Sequence, residues 1–196
     1  MTGVGPEPAP SDFLREVSLV KASQRRSILY HPLDGRYGPL DPKRLAGILG
    51  GLAAVIDTQA VGYVLGFSVG GSIPAFGFAQ IVDRPVILSM LVKPELPGLI
   101  AFEEPHSSVA TTHYVHGLHR GDRVVIVEDE VTTGQTVIGA VRALRRAGVH
   151  ITDVGTVLAI DAPAMWRQMA EEKISLHAGI RLPADYAGRI LANSPT

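Results

Sequence analysis

Residues 124–136 read VVIVEDEVTTGQT, and their types and order could do chemistry. Glu128 and Asp129 place two adjacent carboxylates at the end of an apolar run. Thr132, Thr133, Gly134, Gln135 and Thr136 then offer hydroxyls and consecutive backbone N–H groups. Such donors, at the positive end of a helix dipole, suit a phosphate dianion. Gly134 lets the backbone approach an anion with no Cβ in the way. Paired acids beside an anion repel it unless they hold something neutral, because an ionised carboxylate only accepts hydrogen bonds. Sugar hydroxyls fit that requirement, with the phosphate of the same sugar in the Thr/Gly loop.

Such residues need a strand ending where a helix begins. In open parallel α/β sheets, ligands sit at the carboxyl ends of the strands. The spacing predicts a strand over 124–128 and a helix over 136–147. In that helix Val137, Val141 and Leu144 face inward, Arg142, Arg145 and Arg146 face out, and Gly148 ends it. AVGYVLGF (60–67), PVILSML (85–91) and VGTVLAI (154–160) are further apolar runs of the doubly buried kind. Asp41-Pro42 starts a helix in which Leu45, Ile48, Leu49, Leu52 and Ile56 recur at helical spacing. Helices are also expected over 73–82 and 165–171, and a last strand at ISLHAGI. Residues 12–30 read as mixed helical or irregular, before the turn-rich HPLDGRYGPLDP. Residues 93–112 show no clean period and read as one long loop, functional or mobile. Strands alternate with helices, so the fold class is α/β: one domain with a mostly parallel sheet between helix layers.

Composition narrows the function classes. The 196 residues are 46% hydrophobic and 19% charged, with a formal net charge of −1. Neither a basic field for nucleic acid nor an acidic tail for a basic partner is present. No apolar run has the length of a membrane span. The start, MTGVGPEPAPSDFLREV, lacks the pattern of a signal peptide, and residues 1–11 read as a Pro-rich disordered lead-in. The absence of cysteine removes disulfides and thiolate catalysis. The cytoplasm is the expected compartment. His113, His116 and His119 are spaced by three, and on an extended segment successive members point to opposite faces and share no ion. An exposed strand is expected there.

The stretch 124–136 resembles the phosphoribosyl pyrophosphate (PRPP) signature of the type I phosphoribosyltransferases. The resemblance extends to the adenine branch: ELPG (95–98) resembles the K-L-P-G that opens its mobile catalytic loop. HGLHRGDRVVIV resembles that loop's return, and LAIDAPAMWRQMAEEKISLHAGIRL the C-terminal strand, helix and strand. It covers about residues 40–182. It implies a domain over 12–196, with 12–40 as the hood over the base and 93–112 as the catalytic loop. The sugar site would run from Glu128 and Asp129, on the ribose hydroxyls, through Glu130 and Val131 to Thr132–Thr136 on the 5-phosphate. Mg²⁺, a sugar pyrophosphate and a nucleobase are the implied cofactor and partners, with a homodimer usual. The metal would be held mainly by the pyrophosphate and hydroxyls.

Two departures qualify the resemblance. The pyrophosphate turn is Ser68-Val69-Gly70-Gly71, with neither the acid nor the Arg of the family pattern. The segment leading into the catalytic loop has Leu91, Val92, Lys93 and Glu95 where Arg and Lys are usual. Pyrophosphate leaves with about three negative charges, which cations normally stabilise. Backbone N–H groups of the SVGG turn still suit an anion. Glu104 is the first choice for general acid/base, with Glu103 and His106 behind it. Asp161 and Ala162 would flank the base, and Phe102, Tyr37 or Ile160 would stack on it. Trp166 is expected to pack the last helix. The reading is therefore transfer of a 5-phosphosugar to a purine-like base, by default adenine and PRPP giving AMP and pyrophosphate. The alternatives are a different sugar pyrophosphate, such as a ketose-phosphate type, or another acceptor, in a specialised nucleoside pathway. A PRPP-sensing regulator is the third reading. The segment before the match has neither the length nor the charge of a DNA-binding module.

Overall fold

A computed structural model describes residues 17–23, 26–36, 38–105 and 111–185. The lead-in 1–11, Tyr37 and His106 lie outside the described residues. Among the described residues, nine strands and four α-helices follow one another: β1 (Ser18–Ser23), β2 (Arg26–Tyr30), α1 (Pro42–Val55), β3 (Tyr63–Gly66), α2 (Ser72–Val82) and β4 (Val86–Leu88) come first. Then come β5 (Ile100–Glu104), β6 (Thr111–Val115), β7 (Arg123–Val131), α3 (Gln135–Arg146), β8 (His150–Ile160), α4 (Pro163–Glu171) and β9 (Leu176–Leu182). Five strands form the main sheet in the order β4-β3-β7-β8-β9. Every pair in it is parallel.

The apolar run of β7 is continuous because both of its faces are covered. Val124 and Ile126 pack under α3, α4 and the β5–β6 hairpin, with Phe67, Phe102, Val141 and Leu144. Val125 and Val127 pack under α1 and α2, with Leu49, Phe78 and Leu33. α1 begins as its sequence indicates: Pro42 opens it, and Asp41 accepts from the Lys43 N–H at 2.9 Å. No helix among the described residues is long and apolar enough to cross a membrane.

Two regions differ from expectation. Within 12–30, expected to be helical or irregular, β1 and β2 form an antiparallel pair. Leu, Lys, Ala, Gln and Arg are good helix formers, so local composition misleads where pairing with a neighbouring segment decides. The segment 93–112 is not one loop, because Ile100–Glu104 pairs with Thr111–Val115 as a hairpin. Ile100 and Phe102 are buried and Ala101 and Glu103 exposed, a two-residue period too short to stand out in the sequence.

β7 runs past residue 128 to Val131, then turns through Thr132 and Thr133 into α3. The turn closes on Gly134, with φ of +75°, a left-handed conformation that favours glycine. A Cβ there would stand 2.3 Å from the Met169 Cε on α4. Gly134 thus sets the turn and the α3–α4 packing whether or not a ligand is bound. Gly134→Ala should cost about 1–3 kcal/mol of stability in urea unfolding. Adding Met169→Ala should recover only the part due to the collision.

Candidate functional site

The carboxyl end of β7 faces two turns, one after β3 and one in the segment between β2 and α1. Glu128 and Asp129 are both buried, at 7% and 6% exposure, which is unusual for adjacent acids. Glu128 Oε1 accepts from the Phe67 N–H at 2.8 Å. The Ser68–Gly71 turn closes directly over both carboxyls. A Cβ on Gly70 would lie 1.9 Å from Asp129 Oδ2, and one on Gly71 would lie 2.4 Å from Glu128 Oε1. Only glycine fits at either position without moving an acid. The Ser68–Val69 peptide is cis.

Burial, and secondly the charge of Asp129, push the Glu128 carboxyl well above its usual range. The Phe67 N–H works in the opposite direction. Asp129 is also raised by burial, with the Arg36 guanidinium opposing the shift. The pair is thus suited to share a proton. One neutral and one ionised carboxyl offer a donor as well as acceptors, the complement of two neighbouring hydroxyls.

The counter-charge comes from HPLDGR, within the turn-rich patch between β2 and α1. Asp34, 1% exposed, accepts through Oδ1 from the Arg36 backbone N–H at 3.2 Å and from Nε, and through Oδ2 from Nη2 at 2.7 Å. Arg36 Nη2 also donates to Asp129 Oδ2 at 2.9 Å. Gly35, at φ of +72°, makes the tight turn that brings Asp34 and Arg36 together. His31, 1% exposed, accepts from the Leu33 N–H through Nδ1 at 3.3 Å, so Nε2 carries the proton of the neutral ring. Burial lowers its pKa to about 4. Its Nε2 lies 3.9 Å from Glu130 Oε2. An Asp-Gly-Arg turn following a His was the available signal for this group.

At the start of α3, Gly134 is the N-cap and no side chain caps the helix. Gln135 N–H reaches Thr133 Oγ1 only at 3.5 Å, and the Gln135 amide donates outward to Gln168 at 2.7 Å. Thr132, Thr133 and Thr136 are half-buried, and Val131 is buried. First-turn N–H groups without a capping partner are suited to an anion.

The remaining expected residues separate into three groups. Lys93 is exposed beyond β4 and forms no ion pair with the buried acids. Asp161 is exposed at the end of β8, where its N–H donates to the Leu182 carbonyl at 2.7 Å. Ile160 is 1% exposed and Phe102 4%, so both side chains are enclosed by protein. Glu103 accepts from Thr112 Oγ1 at 2.8 Å across the β5–β6 hairpin. Glu104 lies 3.6 Å from His113 Nε2.

His113 corrects the expectation of an exposed strand. It is 2% exposed and stacks on Phe102, with ring centroids 4.9 Å apart and planes 2° from parallel. Its Nδ1 is 2.8 Å from Ser89 Oγ, which accepts from the Ser68 N–H at 2.9 Å. Burial is helped by the Ser89 hydroxyl on Nδ1, with the Glu104 carboxyl 3.6 Å from Nε2. This chain links the hairpin to the turn over the acids. His116 and His119 are exposed. Trp166 packs against the core below α3, and the Arg181 guanidinium lies 4.1 Å from its ring centroid.

Two outcomes follow from this geometry. Glu128→Gln retains an acceptor for the Phe67 N–H while removing a buried acid, so it should raise stability at neutral pH by roughly 1 kcal/mol. A carboxyl raised on folding keeps its proton longer in the native state, so wild-type stability falls as pH rises above the ordinary glutamate range. The advantage of Glu128→Gln in thermal unfolding should therefore grow from acid towards neutral pH. His113→Phe preserves the ring stack but strands the Ser89 hydroxyl, and should cost about 1–3 kcal/mol in urea unfolding.

A family model for phosphoribosyl transferases matches residues 16–188. A hypoxanthine/guanine phosphoribosyltransferase of Methanospirillum hungatei is 29% identical over 135 residues, which are 69% of this chain and 74% of that protein. Its counterpart from Methanocella arvoryzae is 30% identical over 132 residues, 65% of this chain and 66% of that protein. The adenine phosphoribosyltransferase of Rhodothermus marinus superposes with a TM-score of 0.69 at 20% identity, covering 87% of this chain and 97% of that one. The parallel sheet and its arrangement of helices match that fold. The chain belongs to the phosphoribosyltransferase family, whose members are transferases.

Proposed function

We propose that this protein transfers a 5-phosphoribosyl group from PRPP to a purine base. The observation that carries this reading is the buried Glu128–Asp129 pair, closed under the Ser68–Gly71 turn beside the uncapped start of α3. The acids hold the 2- and 3-hydroxyls, Thr132–Thr136 hold the 5-phosphate, and the Ser68–Gly71 turn faces the pyrophosphate. Adenine is the first acceptor, on the resemblance of ELPG and the C-terminal strand–helix–strand to the adenine branch. Hypoxanthine or guanine is the second, favoured by the names of the curated relatives.

In the reaction, the bond from the anomeric carbon to the pyrophosphate oxygen breaks and its electron pair leaves with the pyrophosphate. A ring nitrogen of the base bonds to that carbon, and the N–H proton passes to a general base. Glu104 is the proposed acceptor, with Glu103 and His106 as the other candidates. Positioning both partners in line while excluding water supplies most of the rate. Asp161, exposed at the end of β8, is the proposed acceptor for an N–H of the base. Lys93 is proposed to approach the pyrophosphate from the segment after β4.

Among the described residues, no group of three or more His, Asp and Glu side chains is arranged to hold a metal. A hard cation such as Mg²⁺ prefers oxygen ligands and keeps several waters, so it would be held mainly by the donor's pyrophosphate and hydroxyl oxygens, with Asp129 as the neighbouring carboxylate. When bound, Mg²⁺ would neutralise pyrophosphate charge. We further read the protein as a cytoplasmic homodimer. Exposed Val69, Ile73, Phe76, Leu88, Leu91 and Val92 on the turn, α2, β4 and the segment after it support the pairing.

Incubating the protein with PRPP, Mg²⁺ and each of adenine, hypoxanthine and guanine should release pyrophosphate and one nucleoside monophosphate. Glu128→Gln with Asp129→Asn should fold but lose turnover by about a hundredfold or more, since each charged hydrogen bond contributes on the order of 1.5–3 kcal/mol. Normal turnover by that double variant would place the sugar elsewhere.

A further inference from the structure

The turn that closes over the acids carries no charged side chain, and Gly70 and Gly71 leave no room for one. Yet in the sugar pyrophosphate the leaving group is bonded to the carbon next to the one bearing the 2-hydroxyl. Once the acids hold that hydroxyl, the pyrophosphate must lie beside them. The cation already there is Arg36. Its Nη2 is 2.9 Å from Asp129 Oδ2, the same oxygen that a Cβ on Gly70 would meet at 1.9 Å. The guanidinium and the Gly70 face of the turn therefore flank one carboxylate oxygen.

Arg36 is also built to stay. Asp34, buried at 1% exposure, grips its Nε and Nη2 as well as its backbone N–H. This fork-to-carboxylate arrangement fixes the plane of the guanidinium. The Arg36 side chain nevertheless remains 33% exposed. Asp34 and Asp129 give it two negative partners for its one charge.

Resting on the phosphoribosyl reading above, we propose that Arg36 is the protein's cation for the pyrophosphate of the donor. In the sugar-free molecule it is shared between Asp34 and Asp129. When the sugar arrives, its hydroxyls take over the oxygens of Asp129, and the Nη2 hydrogen that Asp129 held is donated to an anionic oxygen of the pyrophosphate. Asp34 holds the guanidinium in place throughout. The segment between β2 and α1 thus provides the charge that the SVGG turn lacks, and Arg36 distinguishes a sugar pyrophosphate from a simple sugar phosphate.

The test is calorimetric titration of wild type, Arg36→Gln and Arg36→Lys with PRPP, ribose 5-phosphate and inorganic pyrophosphate, at constant Mg²⁺. Arg36→Gln should weaken PRPP and pyrophosphate by about ten- to a hundredfold, the range of one charged contact, and Arg36→Lys by less. Ribose 5-phosphate should bind as well as before or better, because Asp129 loses a competitor. Equal weakening of PRPP and ribose 5-phosphate would mean that Arg36 serves only to hold Asp129, and would overturn the proposal. So would unchanged binding of all three. Wild type that binds neither PRPP nor ribose 5-phosphate would instead remove the phosphoribosyl reading, and this inference with it. Should Arg36→Gln alone unfold because Asp34 is left buried without its partner, Asp34→Asn with Arg36→Gln removes both charges. That pair is expected to show the same selective loss.

Discussion

Two adjacent carboxyls buried at the end of a parallel strand are costly, and the architecture around β7 is arranged to tolerate them. An isolated ionised carboxylate in such a place would shift its pKa or unfold its surroundings. Here Phe67 contributes a backbone N–H to one acid and Arg36 a guanidinium to the other. Gly70 and Gly71 bring the neighbouring turn into contact without a side chain. Burial still raises both carboxyls, which favours neutral hydrogen-bonding neighbours over further charge.

The same constraint orders the rest of the molecule. β7 is doubly buried, so its apolar residues fix the strand while the acids emerge only where the core ends. Gly134 then reverses the chain into α3, whose packing against Met169 places an uncapped helix start beside the acids. From the other side, Ser68, Ser89 and His113 form a hydrogen-bonded chain between the turn and the β5–β6 hairpin, with Glu104 3.6 Å from the far ring nitrogen. A buried polar chain of that sort is stable only when each member has its partner, and so it fixes one arrangement of the turn.

The central strand, the helix after it and the acid–threonine order were legible in the sequence. They are local, since a continuous apolar run, a helical period and a glycine have the same meaning wherever they occur. α1 was legible for the same reason, through Asp41 and Pro42. The β1–β2 pair and the β5–β6 hairpin were not, because their patterns are only a few residues long and depend on partner strands. The burial of His113 was likewise hidden. A histidine amid polar residues reads as exposed until Ser89, 24 residues away, is brought against it.

By itself, the sequence determined the α/β alternation and the identity of one chemically unusual stretch, Glu128 to Thr136. Periodicity and residue type suffice for both, because each is set within a single strand and the turn that follows. Only the tertiary structure decided what surrounds that stretch. Arg36 meets Asp129 across 93 residues of chain, and Phe67 meets Glu128 across 61. No local pattern records such contacts. They arise because the sheet brings the ends of β3 and β7 side by side, and because the buried acids leave free energy to be gained by whichever donor the fold places within reach.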